Sequence, residues 1–315
     1  MPSAGEDGAD AWAGQPRRKS TEPASRARPS AESRNPADSR PPWHRLWPRR
    51  TLLRPMTQQP VGRQIREWRQ RRRLSQLALA HEAEISARHL SFLETGRASP
   101  SREMLLHLAE QLGVPPRERN LWLVTAGYAP IFPERALNDP ALAPARAAIE
   151  LVLEGHKPYP AYALDRHWNI VASNGALPQV FEDVDPVLLQ APINALRVSL
   201  HPGGLAPRIL NLAQWRAHLL GNLAHQIEIS ADPTLAQLMA EVKDYPSGTA
   251  TSGLAPDGSG IVVPLRLQIR AGVLSLFSTT LVFGSPLDIT LTELAVETFF
   301  AADEATAALV RSLSR

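Results

Sequence analysis

A single predicted helix near residue 90 presents side chains suited to hydrogen bonding with DNA. Ser86 is a preferred helix-capping residue type, and Leu90 and Leu93 lie three positions apart, which places both on an inward face. An arginine at the start of such a helix can donate two hydrogen bonds to guanine O6 and N7, which discriminates against other bases by about 1–3 kcal/mol. Arg88 is therefore our first candidate for reading a base, with a phosphate contact as the alternative. The outward-facing residues are Ala87, Arg88 and Ser91.

The neighbours of Arg88 could contact the same DNA. Ala87 can touch a thymine methyl group, and Ser91 can bond to a base or a phosphate. His89 has the same two roles, or it packs against the preceding helix instead.

Helices on either side must position these residues. The pattern predicts helices at 62–73, 75–82 and 87–93, with a turn at 83–85, and two more after Ser101 and Pro116. Gly96 follows the third helix and is expected in the left-handed conformation. Five helices in about 65 residues predict an all-α bundle.

This stretch resembles the phage-repressor-like helix-turn-helix regulators of the XRE family, over about residues 61–128. The resemblance implies a double-stranded DNA operator as partner. It also implies that Gln76 donates to a phosphate, that Arg63, Thr95 and Arg97 contact phosphates, and that Glu94 is structural. Glu84 departs from the pattern, because glycine is usual in that turn. The residues that carry the resemblance, all at the family's spacing, are Leu74, Ser75, Gln76, Leu79, Ala80, Ile85, Ser86, Leu90, Leu93, Glu94, Gly96 and Pro100.

Charge is unevenly distributed along the 315 residues. The formal net charge of +3 is the sum of +5 in residues 1–55, +4 in residues 56–129 and −6 in residues 130–315. The basic part therefore coincides with the predicted DNA-reading helices, as phosphate neutralisation requires. The chain has no cysteine, which excludes disulfides and thiol catalysis, and it has no run of 18 apolar residues. These features are consistent with a cytoplasmic, nucleoid-associated protein that does not enter a membrane.

Composition and pattern divide the chain into four predicted segments. Residues 1–55 hold nine of the 29 prolines and are predicted to be disordered. Either Met56 is the true start, or this segment is a basic tail that adds nonspecific DNA affinity through Arg17, Arg18, Lys19, Arg49 and Arg50. Residues 56–129 form the predicted helix-turn-helix domain, 130–144 a linker rich in proline, and 145–315 a second domain.

The second domain has a mixed α/β (α+β) pattern. A helix at 145–153 precedes two short strands around a tight turn within 160–173. Further helices are expected at 174–183, 185–191, 208–230 and 233–241, a loop at 246–260, two or three strands within 261–283, and a last helix at 292–311.

This domain resembles the C-terminal domain of MmyB-like transcriptional regulators. The resemblance rests on DRHWNIVASN from Asp165, the HPGG turn at 201–204, NLAQW at 211–215 and the stretch 283–306. It implies a PAS-like ligand-binding module, in which some family members hold a fatty-acid-like molecule.

A ligand pocket is apolar with a few polar anchors, so aromatic residues are its candidate wall, although each could also be ordinary core. These aromatic residues are Tyr162, Trp168, Phe181, Trp215, Phe277 and Phe283. The candidate anchors are Asn174, His201 and Arg208, of which the arginine could hold a carboxylate.

The sequence offers no candidate catalytic residue, metal ligand or cofactor motif. A bound fatty acid is what the resemblance alone implies. His218 and His225 lie about 10.5 Å apart along a helix, too far for one metal. A ligand-responsive regulator, acting as a homodimer on a palindrome, is therefore the predicted function. The alternatives are a C-terminal domain that only dimerises or binds another protein, and a hydrolase.

Overall fold

The computed structural model of this chain describes residues 60–246, 263–284 and 288–313. The predicted disordered segment 1–55 and the alternative start at Met56 lie outside the described residues, as does all of the predicted loop 246–260 except Pro246. None of the described helices combines the length and the apolar composition that crossing a bilayer requires.

Five helices form the N-terminal part, as predicted. Helices α2, α3 and α4 each begin after a serine whose hydroxyl oxygen accepts a main-chain N–H three residues later, and these capping residues are Ser75, Ser86 and Ser101. The helices are α1 (Val61–Arg71), α2 (Gln76–Glu82), α3 (Ala87–Glu94), α4 (Arg102–Gln111) and α5 (Pro116–Thr125).

Two backbone positions shape this helix bundle: one allows a close helix contact and the other forms a turn. A Cβ atom added to Gly62 would lie 2.1 Å from the carbonyl oxygen of Leu93, so α1 can approach the end of α3 only because this residue is glycine. Glu84 adopts φ +51° in the turn between α2 and α3. The left-handed turn predicted by the motif is therefore present, although its residue is not glycine.

The helix-turn-helix core contains one buried ion pair. Arg69 donates to both carboxylate oxygens of Glu94, with N–O distances of 2.6 and 2.9 Å, and Gln76 donates to the same carboxylate at 2.8 Å. The Glu94 side chain is 1% exposed. The structural role expected for Glu94 is confirmed, and Gln76 braces the end of α3.

The segment between the two parts is held in place by hydrogen bonds. The Asn120 side-chain oxygen accepts the main-chain N–H groups of Ile131 and Phe132, and its amide donates to the Phe132 carbonyl. Pro133 accepts the N–H of Ile289. The boundaries that we predicted at 129/130 and 144/145 stay predictions.

The C-terminal part is built on a five-stranded antiparallel sheet with the order β2-β1-β5-β4-β3. Its strands are β1 (Ala161–Leu164), β2 (Ile170–Ser173), β3 (Leu265–Ile269), β4 (Gly272–Val282) and β5 (Ala295–Ala301). Its helices are α6 (Ala143–Gly155), α7 (Leu177–Val180), α8 (Ala195–Leu200), α9 (Leu212–Ser230), α10 (Pro233–Asp244), α11 (Ile289–Thr292) and α12 (Glu304–Leu313). The predicted α+β class is confirmed.

Each face of the sheet is covered by different helices. Helix α6 packs Ile149 and Leu153 against one face, where Ala163 and Val296 lie. The larger core lies on the other face and includes residues of α7 to α10. Strand β3 lies within the stretch 261–283 where strands were predicted, and its residues alternate: Leu265, Leu267 and Ile269 are buried while Gln268 is exposed.

Three predicted elements were wrong. The long helix expected at 292–311 is instead α11, the central strand β5 and α12. The segment 185–191 forms turns instead of a helix, and the helix expected at 174–183 is limited to Leu177–Val180. A further helix, α8, was not predicted. Its end is tightly packed, since a Cβ on Gly204 would lie 2.1 Å from the Val198 carbonyl oxygen.

Candidate DNA-reading surface and ligand cavity

Helix α3 exposes the side chains that we expected to read DNA. Arg88 is exposed, Ala87, His89 and Ser91 are partly exposed, and Leu90 is fully buried. The Ser86 hydroxyl accepts the N–H of His89 at 3.1 Å, so it caps the helix at the end that would enter the groove.

Phe92, a residue that sequence analysis did not select, lies beside two of the candidate arginines. The guanidinium carbon of Arg88 lies 5.4 Å from the centre of the Phe92 ring, and that of Arg97 lies 6.0 Å from it. Both distances are within the range of cation–π attraction. The aromatic ring thus restricts two otherwise mobile cationic side chains on the same surface. The spacing Arg88–Phe92, one helical turn, was visible in the sequence.

The remaining candidate phosphate contacts lie at the edges of this helix pair. Arg63 is exposed and pairs with Glu67 at 3.0 Å. Thr95 donates to the carbonyl of Ser91 at 2.7 Å, and Gln76 is held by Glu94.

A cavity lies between the sheet and helices α7, α8 and α9. Its empty space, counted together with the open solvent at its mouth, is about 440 Å³. Its wall is mainly aliphatic and aromatic, and comprises Pro160, Tyr162, Leu177, Val180, Phe181, Ala195, Val198, Ser199, Leu205, Trp215, Leu265, Leu276 and Phe299.

Polar atoms in the wall are few and close to the aromatic residues. The Trp215 indole N–H donates to the Ser199 hydroxyl at 3.0 Å. The ring of Tyr162 packs against that of Phe299, with centroids 5.6 Å apart. Burial, and secondarily the charge of Glu297, raises the pKa of Tyr162, so its hydroxyl stays protonated.

The structure brings three of the predicted ligand residues, Tyr162, Phe181 and Trp215, together in the cavity wall. Trp168 does not line it, and its indole N–H donates to Gln226 at 2.6 Å. Phe277 stacks on Phe300 on the opposite face of the sheet, where Phe283 packs with the α6 cluster.

The three predicted polar anchors also lie outside the wall. The Asn174 side chain accepts the N–H groups of Ala161 and Ala176 and donates to two carbonyls, so its hydrogen-bonding capacity is used to hold the strand ends. His201 accepts the N–H of Gly203 at 2.9 Å. Arg208 donates to the carbonyl of Val180 at 3.3 Å.

Sequence analysis missed most of the wall, including Leu177, Val198, Ser199, Leu205 and Phe299. These residues come from separate elements and are ordinary apolar or small residues. No local signal distinguishes them from core.

An ion-pair cluster joins the DNA-reading helices to the cavity domain. Arg117 of α5 donates to both oxygens of Glu293, at 2.7 and 2.8 Å, and to Glu134 at 2.6 Å. Arg72 at the end of α1 donates to the carbonyl of Glu228 in α9 at 3.4 Å. Glu293 lies two residues before β5, and Glu228 lies in the last turn of α9. Strand β5 and helix α9 both contribute residues to the cavity wall.

Two partly buried carboxylates, Glu118 and Asp232, lie at the same junction. Burial raises the pKa of Glu118 in α5, and the charge of Asp232 adds to the effect. Burial acts in the same direction on Asp232, but hydrogen bonds from His167 and Thr234 outweigh it and lower the pKa of that group.

No cluster of three or more histidine and carboxylate side chains arranged to hold a metal ion occurs in residues 60–246, 263–284 or 288–313.

Comparison with known proteins assigns both parts of the chain. A helix-turn-helix domain model matches residues 60–122, and the model of the MmyB-like transcription regulator ligand binding domain matches residues 145–313. No curated protein matches the chain. Among solved structures, a chain described as "Structure of an RNA-binding Light-Oxygen-Voltage Receptor" is 11% identical, with a TM-score of 0.23. The match covers 81% of this chain and 64% of that one, and a score this low supports no argument about fold or function.

A helix-turn-helix domain followed by a ligand-binding domain is the domain pair of a ligand-responsive transcription regulator. Since the ligand-binding model covers more than half of the 315 residues, the chain belongs to the MmyB-like transcription regulators.

Proposed function

We propose that this protein binds a specific double-stranded operator through α3 and that a small apolar or amphipathic ligand, such as a fatty acid, changes its DNA affinity from the cavity. The single observation that supports this most is the exposed, capped start of α3 on a domain tied by Arg117 to the domain with the cavity. The proposed DNA contacts are Arg63, Gln76, Ser86, Ala87, Arg88, His89, Ser91, Thr95 and Arg97. Such a protein acts in the cytoplasm, where its operator is.

Coupling between the two sites has a direct route. Phe299 of β5 lines the cavity, and Glu293 next to the start of β5 holds Arg117. Trp215 in the first turn of α9 also lines the cavity, and the carbonyl of Glu228 near the other end of that helix accepts from Arg72. A ligand that moves β5 or α9 would therefore shift the DNA-reading helices, provided that it binds two arrangements with different affinity.

A homodimer is part of the proposal. One recognition helix reads few base pairs, and two related by a twofold axis read half-sites one helical turn, about 10–10.5 base pairs, apart. Sedimentation velocity of the full chain with and without its operator tests this. A monomer bound to a single half-site would contradict it.

Selection of bound sequences from a randomised duplex library is the direct test of DNA reading. Arg88→Ala should weaken binding to the selected operator by about 1–3 kcal/mol and relax the preference at one base pair per half-site. Arg119→Ala is the matched control, because Arg119 donates to the Val114 carbonyl, away from α3. An equal loss on all sequences would make Arg88 a phosphate contact.

A domain that only dimerises or recruits another protein remains the second candidate. The apolar wall and open mouth of the cavity favour a ligand over this candidate, since a closed, fully packed core has no place for one. For a hydrolase, the serine in the cavity wall would need a base, and the hydrogen bond that Ser199 accepts comes from Trp215 instead.

A further inference from the structure

The polar groups of the cavity wall are two hydroxyls and an indole N–H. The indole of Trp215 is already bonded to the Ser199 oxygen, which leaves the Ser199 proton available to donate. The Tyr162 hydroxyl is also a donor, since it stays protonated at neutral pH. The residues that line the cavity therefore include two hydroxyl donors.

Charge is missing from this wall. None of the thirteen lining residues in the described part of the chain is charged. The internal segments that the structure does not describe, 247–262 and 285–287, contain no Lys, Arg or His in their sequence. A carboxylate bound beside the two hydroxyls would thus have no counter-charge in the wall.

A cation beside the wall already makes a hydrogen bond. Arg208 donates to the carbonyl of the lining residue Val180. Its charge also acts on Asp183, whose pKa is lowered chiefly by its hydrogen bond with Arg270 and to a lesser extent by Arg208. One nitrogen of Arg208 and one of Arg216 are buried without a hydrogen-bond partner in the described structure. Arg208 is bonded directly to a wall residue, Val180, and is therefore our candidate for holding an anion.

An acidic side chain lies on the cavity side of the sheet. Glu297 pairs directly with Tyr162 across strands β5 and β1, which puts both side chains on one face. Burial raises the pKa of Glu297, which is the sign of an environment that disfavours negative charge. A second carboxylate near Tyr162 would be repelled by Glu297 and poorly solvated.

We propose that the cavity selects an amphiphile whose polar head is uncharged and accepts hydrogen bonds, such as an ester or ketone carbonyl, from Tyr162 and Ser199. This rests on the proposed ligand-binding function and narrows its ligand class. A fatty acid enters such a site only in its protonated form, because burying an unpaired carboxylate is far costlier than neutralising it.

A neutral ester and an ionised fatty acid should differ strongly in their affinity for this cavity. An aliphatic carboxyl group with an ordinary pKa near 4.3 is protonated to about one part in several hundred at pH 7. Methyl decanoate should therefore bind on the order of 100-fold more tightly than decanoic acid at pH 7. The ratio of the ester's affinity to the acid's affinity should fall by about tenfold for each pH unit below 7, because the neutral fraction of the acid rises while the ester does not titrate.

Isothermal titration calorimetry of the full chain with these two compounds, between pH 5.5 and pH 7.5, is the test. Tyr162→Phe and Ser199→Ala should each weaken ester binding by about 2–10-fold, the effect of one lost hydrogen bond. Tyr245→Phe is the matched control, because the Tyr245 hydroxyl donates to Glu241 outside the cavity. Thermal unfolding of each variant separates a lost contact from a lost fold.

The possible results distinguish the preference for an uncharged head from the ligand-sensing function itself. Preference for the ester, reduced by Tyr162→Phe and Ser199→Ala but unchanged by Tyr245→Phe, supports the proposal. Tighter binding of the acid at pH 7, abolished by Arg208→Gln, would overturn it, make Arg208 the anion site and leave the ligand-sensing function standing. Binding of neither compound, with chain lengths from eight to fourteen carbons also negative, would overturn the ligand-sensing function itself.

Discussion

The DNA-reading surface and the ligand cavity are built in different ways. The surface is made from one short stretch, α2 to α3, whose caps, turn and exposed side chains lie within about 25 residues. The cavity takes its wall from residues between Pro160 and Phe299 that meet only through the sheet and its helices. A site made from one local stretch tolerates change elsewhere in the fold, whereas a site assembled from distant segments depends on the whole domain.

The largest expected effect tests whether the local site depends on one long-range contact. Arg69→Met leaves the Glu94 carboxylate buried without its cation, which should lower the free energy of unfolding of the helix-turn-helix part by about 3–5 kcal/mol. Urea unfolding followed by circular dichroism measures it. Glu67→Gln, which removes the exposed partner of Arg63, is the control and should change this free energy by less than about 0.5 kcal/mol. A loss below about 1 kcal/mol for Arg69→Met would mean that α1 and α3 hold together by apolar packing alone.

A double-mutant cycle on the junction tests whether the two regions act as one. Arg117 and Glu293 are each about one-fifth exposed, so their bidentate pair should show a coupling energy of about 1–2 kcal/mol between Arg117→Gln and Glu293→Gln. The same variants should leave operator sequence preference intact and reduce the effect of ligand on DNA affinity. If the double variant kept the full effect of ligand on DNA affinity, the ion-pair cluster would have no part in signalling.

Sequence reasoning succeeded where structure is decided locally. Ser86 was identified as a cap and Ser101 as the residue before a helix, because a serine before an apolar period satisfies free N–H groups wherever it occurs. Ser75 was placed inside its helix and is a cap instead. The turn at Glu84 and the inward leucines of α3 follow from the same short-range rules. The strands around 160–173 were predicted from the tight turn between them.

Sequence reasoning failed where the structure of a segment depends on residues that are distant in the sequence. The alanines and Glu297 in 295–301 favour a helix by local propensity, but the segment pairs with β1 and β4 and becomes the central strand. The cavity wall was missed for the same reason, because Leu177, Ser199 and Leu205 acquire their role only when α7, α8 and the sheet meet. Asn174 and His201 were candidate ligand anchors, but in the structure they hold strand ends and a turn.

A smaller effect tests whether the DNA-reading arginines are prearranged. Phe92→Leu removes the ring beside Arg88 and Arg97, and should weaken operator binding by about 2–5-fold, the value of an exposed cation–π contact. The loss should be smaller in an Arg88→Ala background. Phe92→Tyr retains the ring and should restore affinity, as fluorescence anisotropy would measure. An equal loss in both backgrounds would assign Phe92 to packing.

The smallest effect concerns the electrostatics of the cavity face. Burial raises the pKa of Glu297 in the folded state above its unfolded value, so its ionised form costs stability at neutral pH. Glu297→Gln should therefore stabilise the protein slightly at pH 7, and the advantage should vanish as pH falls through the raised pKa and the native carboxyl becomes protonated. Melting temperatures from pH 4 to pH 8 measure this, and an advantage that grows on acidification would contradict it.

The pairing of Arg117 with Glu293 limits how freely the two domains can be exchanged. A chimera that joins these five helices to a foreign sensor domain would inherit Arg117 without a carboxylate at the matching position, leaving a largely buried guanidinium unpaired. Engineering of hybrid biosensors from this chain thus has to transplant Glu293 and Glu134 together with the helices, or to replace Arg117 at the same time.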